Sequence, residues 1–346
     1  MKEYTHQISD ILQLDLNDYI SLTESYVKTK ADQKNSPFFL EGNNHELIIF
    51  THGFSSSPYA FRSLAYRLNK EGFSCFAPLL LGHGTNSSDL NQIKQDDWFK
   101  AINHFINCSY KKYQKIHLIG HSYGALLSIL QTHKTPEMIS SLVLFAPAFE
   151  LNPPKTAYLP SLIYPLSKII PLRLFSQVGS LCGSDLYSYP YFPMKAAKEV
   201  SQAILKAKAI KSKKITQPIF MILSTEDETT SYKSALRFFY HQENSKNHCQ
   251  IYSALDNFKI DHPKINVLDS RKYSPQIIDF SHLGMHIDIN DPHYGINGHY
   301  YNNQAKEPLI FGAMTTKNKR RIKHLRRIAF NPDFDQLVEK ILLFLE

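Results

Sequence analysis

The chain has 346 residues and a mass of 39.9 kDa, with 43% hydrophobic, 20% charged and 12% aromatic residues. That balance excludes disorder as the main state and provides for a sizeable core. Lys and Arg number 39 against 31 Asp and Glu, a formal balance of +8, but Lys317, Lys319, Arg320, Arg321, Lys323, Arg326 and Arg327 sit in one short run, so the excess is local and no nucleic-acid partner is expected.

The N-terminal stretch, Met1 to Ile20, carries Glu3, Asp10, Asp15 and Asp18 and has no uninterrupted apolar core, so a secretory leader is not expected. The most apolar region, Tyr158 to Phe175, is broken by Pro160, Pro165, Lys168, Pro171 and Arg173, which argues against a membrane span. Cys75, Cys108, Cys182 and Cys249 lie far apart and form no C-x-x-C pair, so neither a zinc knuckle nor a dense disulfide framework is legible. The expectation is a cytoplasmic enzyme.

From residue 45 onward, short β-rich runs alternate with helical patterns, the signature of βα units around a mostly parallel sheet. Leu47 to Phe50 reads as a buried strand ending at Thr51-His52-Gly53, and Ser57-Pro58 then opens a helix with Leu64, Ala65 and Leu68 on one face and Gly72 beyond its end. Phe73 to Leu80 is the next strand, followed by the turn Gly82-His83-Gly84. Asp96-Asp97 precede a helix with Trp98, Ala101 and Phe105; Ile116 to Ile119 is a strand, Ala125 to Gln131 a helix and Leu142 to Phe145 a strand.

After Ala148 the alternation stops for about sixty residues, replaced by prolines, aromatics and short apolar clusters, a composition that fits an inserted cap. The sheet resumes at Ile219 to Leu223, continues at Ile277-Ile278, and the chain closes with a helix from Asp333 to Leu345 started by Asn331-Pro332. The fold class is α/β, a mostly parallel sheet flanked by helices with a cap inserted into it. Residues 1–36 form an N-terminal extension, 37–148 the first part of the core, 149–212 the cap, and 213–346 the second part of the core with the C-terminal helix.

Gly120-His121-Ser122-Tyr123-Gly124 is a G-x-S-x-G sequence between an apolar strand and a helix of small residues. A nucleophile on so tight a turn is strained, and flanking glycines remove side chains that would collide with neighbouring backbone. Ser122 is the candidate nucleophile; the plain alternative is a Gly-rich turn with a helix-capping serine. His52-Gly53-Phe54, directly after an apolar strand, is the kind of loop that offers a backbone N–H to an oxyanion, and the Tyr123 N–H at the start of the next helix supplies the second donor.

The stretch from Thr51 through Pro58, then Leu64-Ala65, Gly72-Phe73, Ala77-Pro78-Leu79, Gly82 to Thr85 and Gly120 to Gly124, resembles in order and spacing the α/β-hydrolase superfamily. The likeness is to its bacterial carboxylesterase and monoacylglycerol lipase branch, also called serine aminopeptidase-like hydrolases. It covers about residues 37 to 230. For the acid, the loop after the strand ending near Leu223 holds Glu226, Asp227 and Glu228, and the resemblance implies Asp227. For the base, Ser281-His282 and His286 are both available, and the resemblance implies His282.

A polar loop with His286, Asp288, Asp291, His293 and His299 is read as satisfying its own backbone and packed down by Tyr294 and Tyr300-Tyr301, not as a metal site. Neither metal nor other cofactor is expected. The basic run at 317–327 is read as a solvated face, with transient contact to a membrane surface the next reading. Tyr158, Leu159, Leu162, Ile163, Tyr164, Ile169, Ile170, Leu172 and Phe175 of the cap offer apolar surface to an acyl chain.

The expected activity is hydrolysis of short- to medium-chain acyl esters or monoacylglycerol-like lipids through an acyl-enzyme formed on Ser122. The alternatives are a peptidase or amidase of the same fold, and a non-catalytic binding protein on it.

Overall fold

The computed structural model describes residues 13–152, 160, 164, 177–179, 185–301 and 308–346. Cys182 and the cap residues Tyr158, Leu159, Leu162, Ile163, Ile169, Ile170, Leu172 and Phe175 lie outside the described residues.

Eight strands form one sheet: β1 (Phe38–Leu40), β2 (Glu46–Thr51), β3 (Ser74–Ala77), β4 (Lys115–His121), β5 (Ser141–Phe145), β8 (Ile219–Ser224), β9 (His248–Ser253) and β10 (Ile265–Asp269). Their spatial order is β1-β3-β2-β4-β5-β8-β9-β10. The edge strand β1 runs antiparallel to β3, and every other pairing is parallel. Both faces of β2 are covered: Ile48 and Phe50 join one apolar cluster, with Leu64, Leu68 and Ile341, while Leu47 and Ile49 join the opposite one, with Trp98, Phe105 and Leu127. A strand buried on both sides must be apolar at every position, which is why these runs show no alternation.

Four of the helices, those carrying Leu64, Trp98, Leu126 and Leu337, stand where the sequence signals place them. In chain order, α1 is Leu16–Lys28, α2 Arg62–Lys70, α3 Gln95–Tyr110, α4 Tyr123–Lys134, α5 Met194–Ile210, α6 Tyr232–Phe239, α7 Thr316–Arg321 and α8 Phe334–Leu345. Asp96 and Asp97 lie in the first turn of α3, where the free amides favour negative charge. Between β5 and β8 the described residues hold a two-stranded antiparallel ribbon, β6 (Gln177–Gly179) with β7 (Tyr191–Pro193), and then α5.

Two features differ from the sequence reading. Ile277-Ile278 is not a strand of the main sheet; Ile277 makes only an isolated bridge to Phe311. The sheet is instead completed by β9 and β10, both parallel to their neighbours. The described part of the N-terminal extension, from residue 13, is also docked. Asp15 caps α1 by accepting from the Asn17 and Asp18 amides, and Tyr19 is buried between Phe76 and Phe105 with its hydroxyl donating to Leu79 O at 2.8 Å. The segment is short and charged, and only the partner surface of β3 and α3 reveals that Leu16, Tyr19 and Val27 are its inward face.

Candidate active site

Strands β2, β4 and β8 deliver the site from their carboxyl ends, where the open edge of a parallel sheet forms a crevice. β4 ends at His121 and the chain enters α4 through Ser122, whose φ of 57° and ψ of −116° are costly for a residue with a Cβ. The flanking positions have no room for side chains. A Cβ on Gly124 would stand 2.0 Å from Thr51 O, and one on Gly120 would stand 2.6 Å from Ala125 Cα. The sheet holds the turn in place: Ser122 N donates to Phe145 O at 2.8 Å, and Ser122 O accepts from Ala148 N at 3.3 Å. The Ser122 side chain does not cap α4, which removes the plain helix-capping reading, and it lines a cavity of about 380 Å³.

The segment after β2 is held by two histidines. The His52 ring donates from Nδ1 to Gly53 O at 2.9 Å and accepts at Nε2 from Leu80 N at 3.0 Å. The His83 ring accepts from Ser55 N at 3.2 Å. The Phe54 ring packs edge-on to Trp98, Tyr123 and Phe192, so main chain and side chain are both fixed beside Ser122. The Phe54 and Tyr123 amides are taken by no other described group, and both residues line the cavity. His83 carries weight that sequence reasoning did not assign to it. The legible sign was the Gly82-His83-Gly84 turn, whose glycines have φ of 78° and 69°.

β8 ends at Ser224, and Asp227 follows in a tight turn. Its Oδ1 accepts from the Thr229 and Thr230 amides, each at 2.7 Å, and its Oδ2 accepts from Thr230 Oγ1 at 2.8 Å and from His282 Nδ1 at 2.7 Å. A carboxylate only accepts, so the shared hydrogen belongs to Nδ1, and in the neutral imidazole it is Nε2 that carries the lone pair. The His282 loop is pinned by Ser224 Oγ donating to Phe280 O at 2.7 Å, by His121 Nε2 donating to His282 O at 3.0 Å, and by Tyr252 stacked on Phe280 with ring centres 4.4 Å apart. Ser122 and His282 face the same cavity.

The rival candidates lie elsewhere. Glu226 turns away to the Ala254 amide, and burial pushes its carboxyl up to about 7. Glu228 reaches the His282 main chain and not its ring. His286 is fully buried against Phe61, Phe145 and His121 and does not line the cavity. Among the described residues no group of three or more His, Cys, Asp and Glu could hold a metal ion. Asp291 accepts from Tyr59, Ser63 and the His293 and Tyr294 amides, and His293 bonds Asp185 at 2.6 Å. That loop satisfies its own backbone as expected, and it is anchored inward by His286, Asp291, His293 and Tyr294, which are buried, whereas His299 is exposed. In the basic run, Lys317, Lys319, Arg320, Arg321, Lys323 and Arg326 are exposed, whereas Arg327 is buried against Glu228.

The imidazoles beneath the site are uncharged in the fold. Burial, the largest effect, holds His52 and His121 well below the ordinary histidine range, His83 at about 4 and His286 at about 3. An unfolded chain titrates the same groups near 6.5, so below that pH the unfolded state binds protons the folded state refuses. Stability therefore falls as pH drops from about 6.5 toward 4, by about 1.4 kcal/mol per pH unit for each such group. Urea unfolding at a series of pH values checks this. His286→Leu, which removes one of these groups, should give a shallower acid slope; an identical slope would contradict the assignment.

Residues 42–255 match the family described as serine aminopeptidase, S33. The chain belongs to that family. Among curated relatives it is 28% identical over 102 residues to a thermostable monoacylglycerol lipase of Bacillus sp. (strain H-257), a stretch covering 30% of this chain and 40% of that protein. It is 26% identical over 216 residues to the monoglyceride lipase homolog of Monkeypox virus, covering 56% of this chain and 75% of the other. The chain spans less than half the length of the Bacillus lipase. In three dimensions it resembles a monoacylglycerol lipase of Paleococcus ferrophilus, with a TM-score of 0.52 and 18% identity, covering 63% of this chain and 88% of that one. At that identity the likeness bears on the fold alone, and the fold is that of the α/β-hydrolases.

Proposed function

We propose that this S33-family member is a serine hydrolase that cleaves carboxylic esters of short- to medium-chain acyl groups, or monoacylglycerol-like lipids, through an acyl-enzyme. The observation that carries the reading is one cavity that joins Ser122 and His282 to an apolar wall, including Leu151, Val178, Val200 and Ile204. In this reading Ser122 Oγ attacks the ester carbonyl and passes its proton to His282 Nε2, while Asp227 keeps the imidazole in one tautomer and stabilises the imidazolium. The Phe54 and Tyr123 amides receive the oxyanion. The tetrahedral adduct collapses as His282 returns the proton to the leaving alcohol, and water then repeats the sequence to release the acid.

The family's name includes aminopeptidases, which must bind a substrate ammonium. Desolvating that charge requires a carboxylate, and among the described lining residues there is no Asp or Glu. An ester with an aliphatic acyl group fits this wall. The same reading takes 149–212 as a cap over the cavity. It also assigns the protein to a reducing, cytoplasmic compartment, supported by the free thiols Cys75, Cys108 and Cys249. Contact with a lipid surface belongs to this reading too, supported by the exposed lysines and arginines of 317–326.

A nitrophenyl ester series run beside a panel of aminoacyl amides tests the substrate class. Each methylene moved from water into the cavity contributes about 0.8 kcal/mol, up to roughly fourfold in kcat/KM. Specificity should climb from acetyl to medium-chain esters and level off as the cavity fills, with aminoacyl amides poor substrates. Flat activity across acyl lengths, or faster cleavage of the amides than of butyrate and hexanoate esters, would overturn the reading in favour of a peptidase.

A further inference from the structure

Asp227 and Glu228 are adjacent carboxylates that take hydrogen bonds from the same residue. Asp227 Oδ2 accepts from His282 Nδ1 at 2.7 Å, and Glu228 Oε2 accepts from the His282 main-chain N–H at 3.2 Å. Ring and backbone of His282 are thus gripped from one turn. The Glu228 side chain is only 6% exposed, and so is that of Arg327, whose Nε stands 3.0 Å from Glu228 Oε1. Burial pushes the Glu228 carboxyl up, the neighbouring Asp227 charge pushes the same way, and Arg327 opposes both.

Two carboxylates this close and this dry do not both stay ionised without a cation, and a guanidinium keeps its charge in such a setting. Arg327 comes from β12 (Leu325–Arg327), which pairs with β11 (Ile310–Gly312), so a small second sheet far along the chain delivers it. Its main-chain oxygen accepts from Tyr301 Oη at 3.1 Å, and the next residue, Ile328, accepts from Ser281 Oγ at 2.5 Å, one residue before His282. Residues 327–328 therefore meet the His282 loop at Ser281 directly and at the His282 amide through Glu228.

We propose that the buried Glu228–Arg327 pair is a positioning device for His282: Arg327 neutralises Glu228, and Glu228 fixes the His282 main chain so that one ring can serve both Asp227 and Ser122. The kinetic part rests on the ester-hydrolase reading above, whereas the electrostatic part does not. The groups facing His282 are Asp227 at Nδ1, Glu228 at the amide, His121 with its ring centre 4.6 Å away, His286 beyond His121, and Arg327 behind Glu228. His121 and His286 are held neutral by burial, so Asp227, Glu228 and Arg327 carry the charge.

The test follows the His282 ring titration by NMR on histidine-labelled protein, alongside turnover of a hexanoate ester. In Glu228→Gln an amide oxygen can still accept the main-chain bond, but the negative charge that faces Arg327 at this turn is gone. The titration midpoint should fall by about half a pH unit or more, and the double variant Glu228→Gln with Arg327→Met should restore it. Arg327→Met alone should lose about tenfold in kcat with KM within about twofold, and Arg327→Lys should recover most of that loss. A folded Glu228→Gln protein titrating like the wild type, or Arg327→Met turning over at the wild-type kcat, would overturn the proposal. Should Glu228→Gln fail to fold, the Met and Lys variants at 327 carry the decision. A wild-type protein that hydrolyses no ester would refute the ester reading alone, and the titration would still decide the pair.

Discussion

Ser122→Ala should remove ester hydrolysis by a factor on the order of 10⁴ or more and abolish labelling by a fluorophosphonate, because the oxyanion donors that remain cannot replace a covalent intermediate. The fold should be untouched. The hydroxyl caps no helix, and the backbone bonds that hold the turn, Ser122 N to Phe145 O and Ala148 N to Ser122 O, do not involve the side chain. The measurement is single-turnover and steady-state hydrolysis beside a thermal unfolding curve. Undiminished turnover by a folded Ser122→Ala protein would remove the nucleophile from the proposal.

His282→Ala should be as damaging as the serine change, since a nucleophile without its base gains little from the rest of the machinery. Asp227→Asn should cost roughly 10³–10⁴ in kcat, because an amide in place of the carboxylate no longer selects the tautomer with the hydrogen on Nδ1. His286→Leu should keep most of the turnover. The two histidines are four positions apart, yet His282 bonds Asp227 and lines the cavity while His286 is packed on Phe61 and Phe145 in the core. If the His286 variant were inactive and the His282 variant active, the base would be misplaced.

The strands and the serine turn were legible because their causes are local. An apolar run such as Leu47 to Phe50 is buried on both faces wherever it sits in the sheet, and the Gly120 to Gly124 spacing follows from neighbouring backbone that a Cβ at either glycine would meet at 2.0–2.6 Å. The Phe54 loop was legible for the same reason, through the residues immediately around it. Less legible was the end of the sheet. β9 and β10 carry polar residues such as Gln250, Asn266 and Asp269 that weaken their strand character, and their register is set by β8, not by their own pattern.

By itself, the sequence determined the α/β alternation, the strained Ser122 turn and a short list of acids and bases. Short-range sterics and burial periodicity dictate those features in any context the chain can reach. Asp227 over Glu226 and Glu228, and His282 over His286, followed from the family resemblance and from no rule local to the chain; the contacts that set these residues apart appear only in the tertiary structure. Those bonds join residues more than fifty positions apart, Asp227 to His282 and Glu228 to the His282 amide, and no local rule orders two carboxylates in one turn. The same holds for Arg327. Read in sequence it is the last residue of a basic run, solvated like its neighbours; only the pairing of β12 with β11 turns it inward, where a buried Glu228 gives its charge a partner.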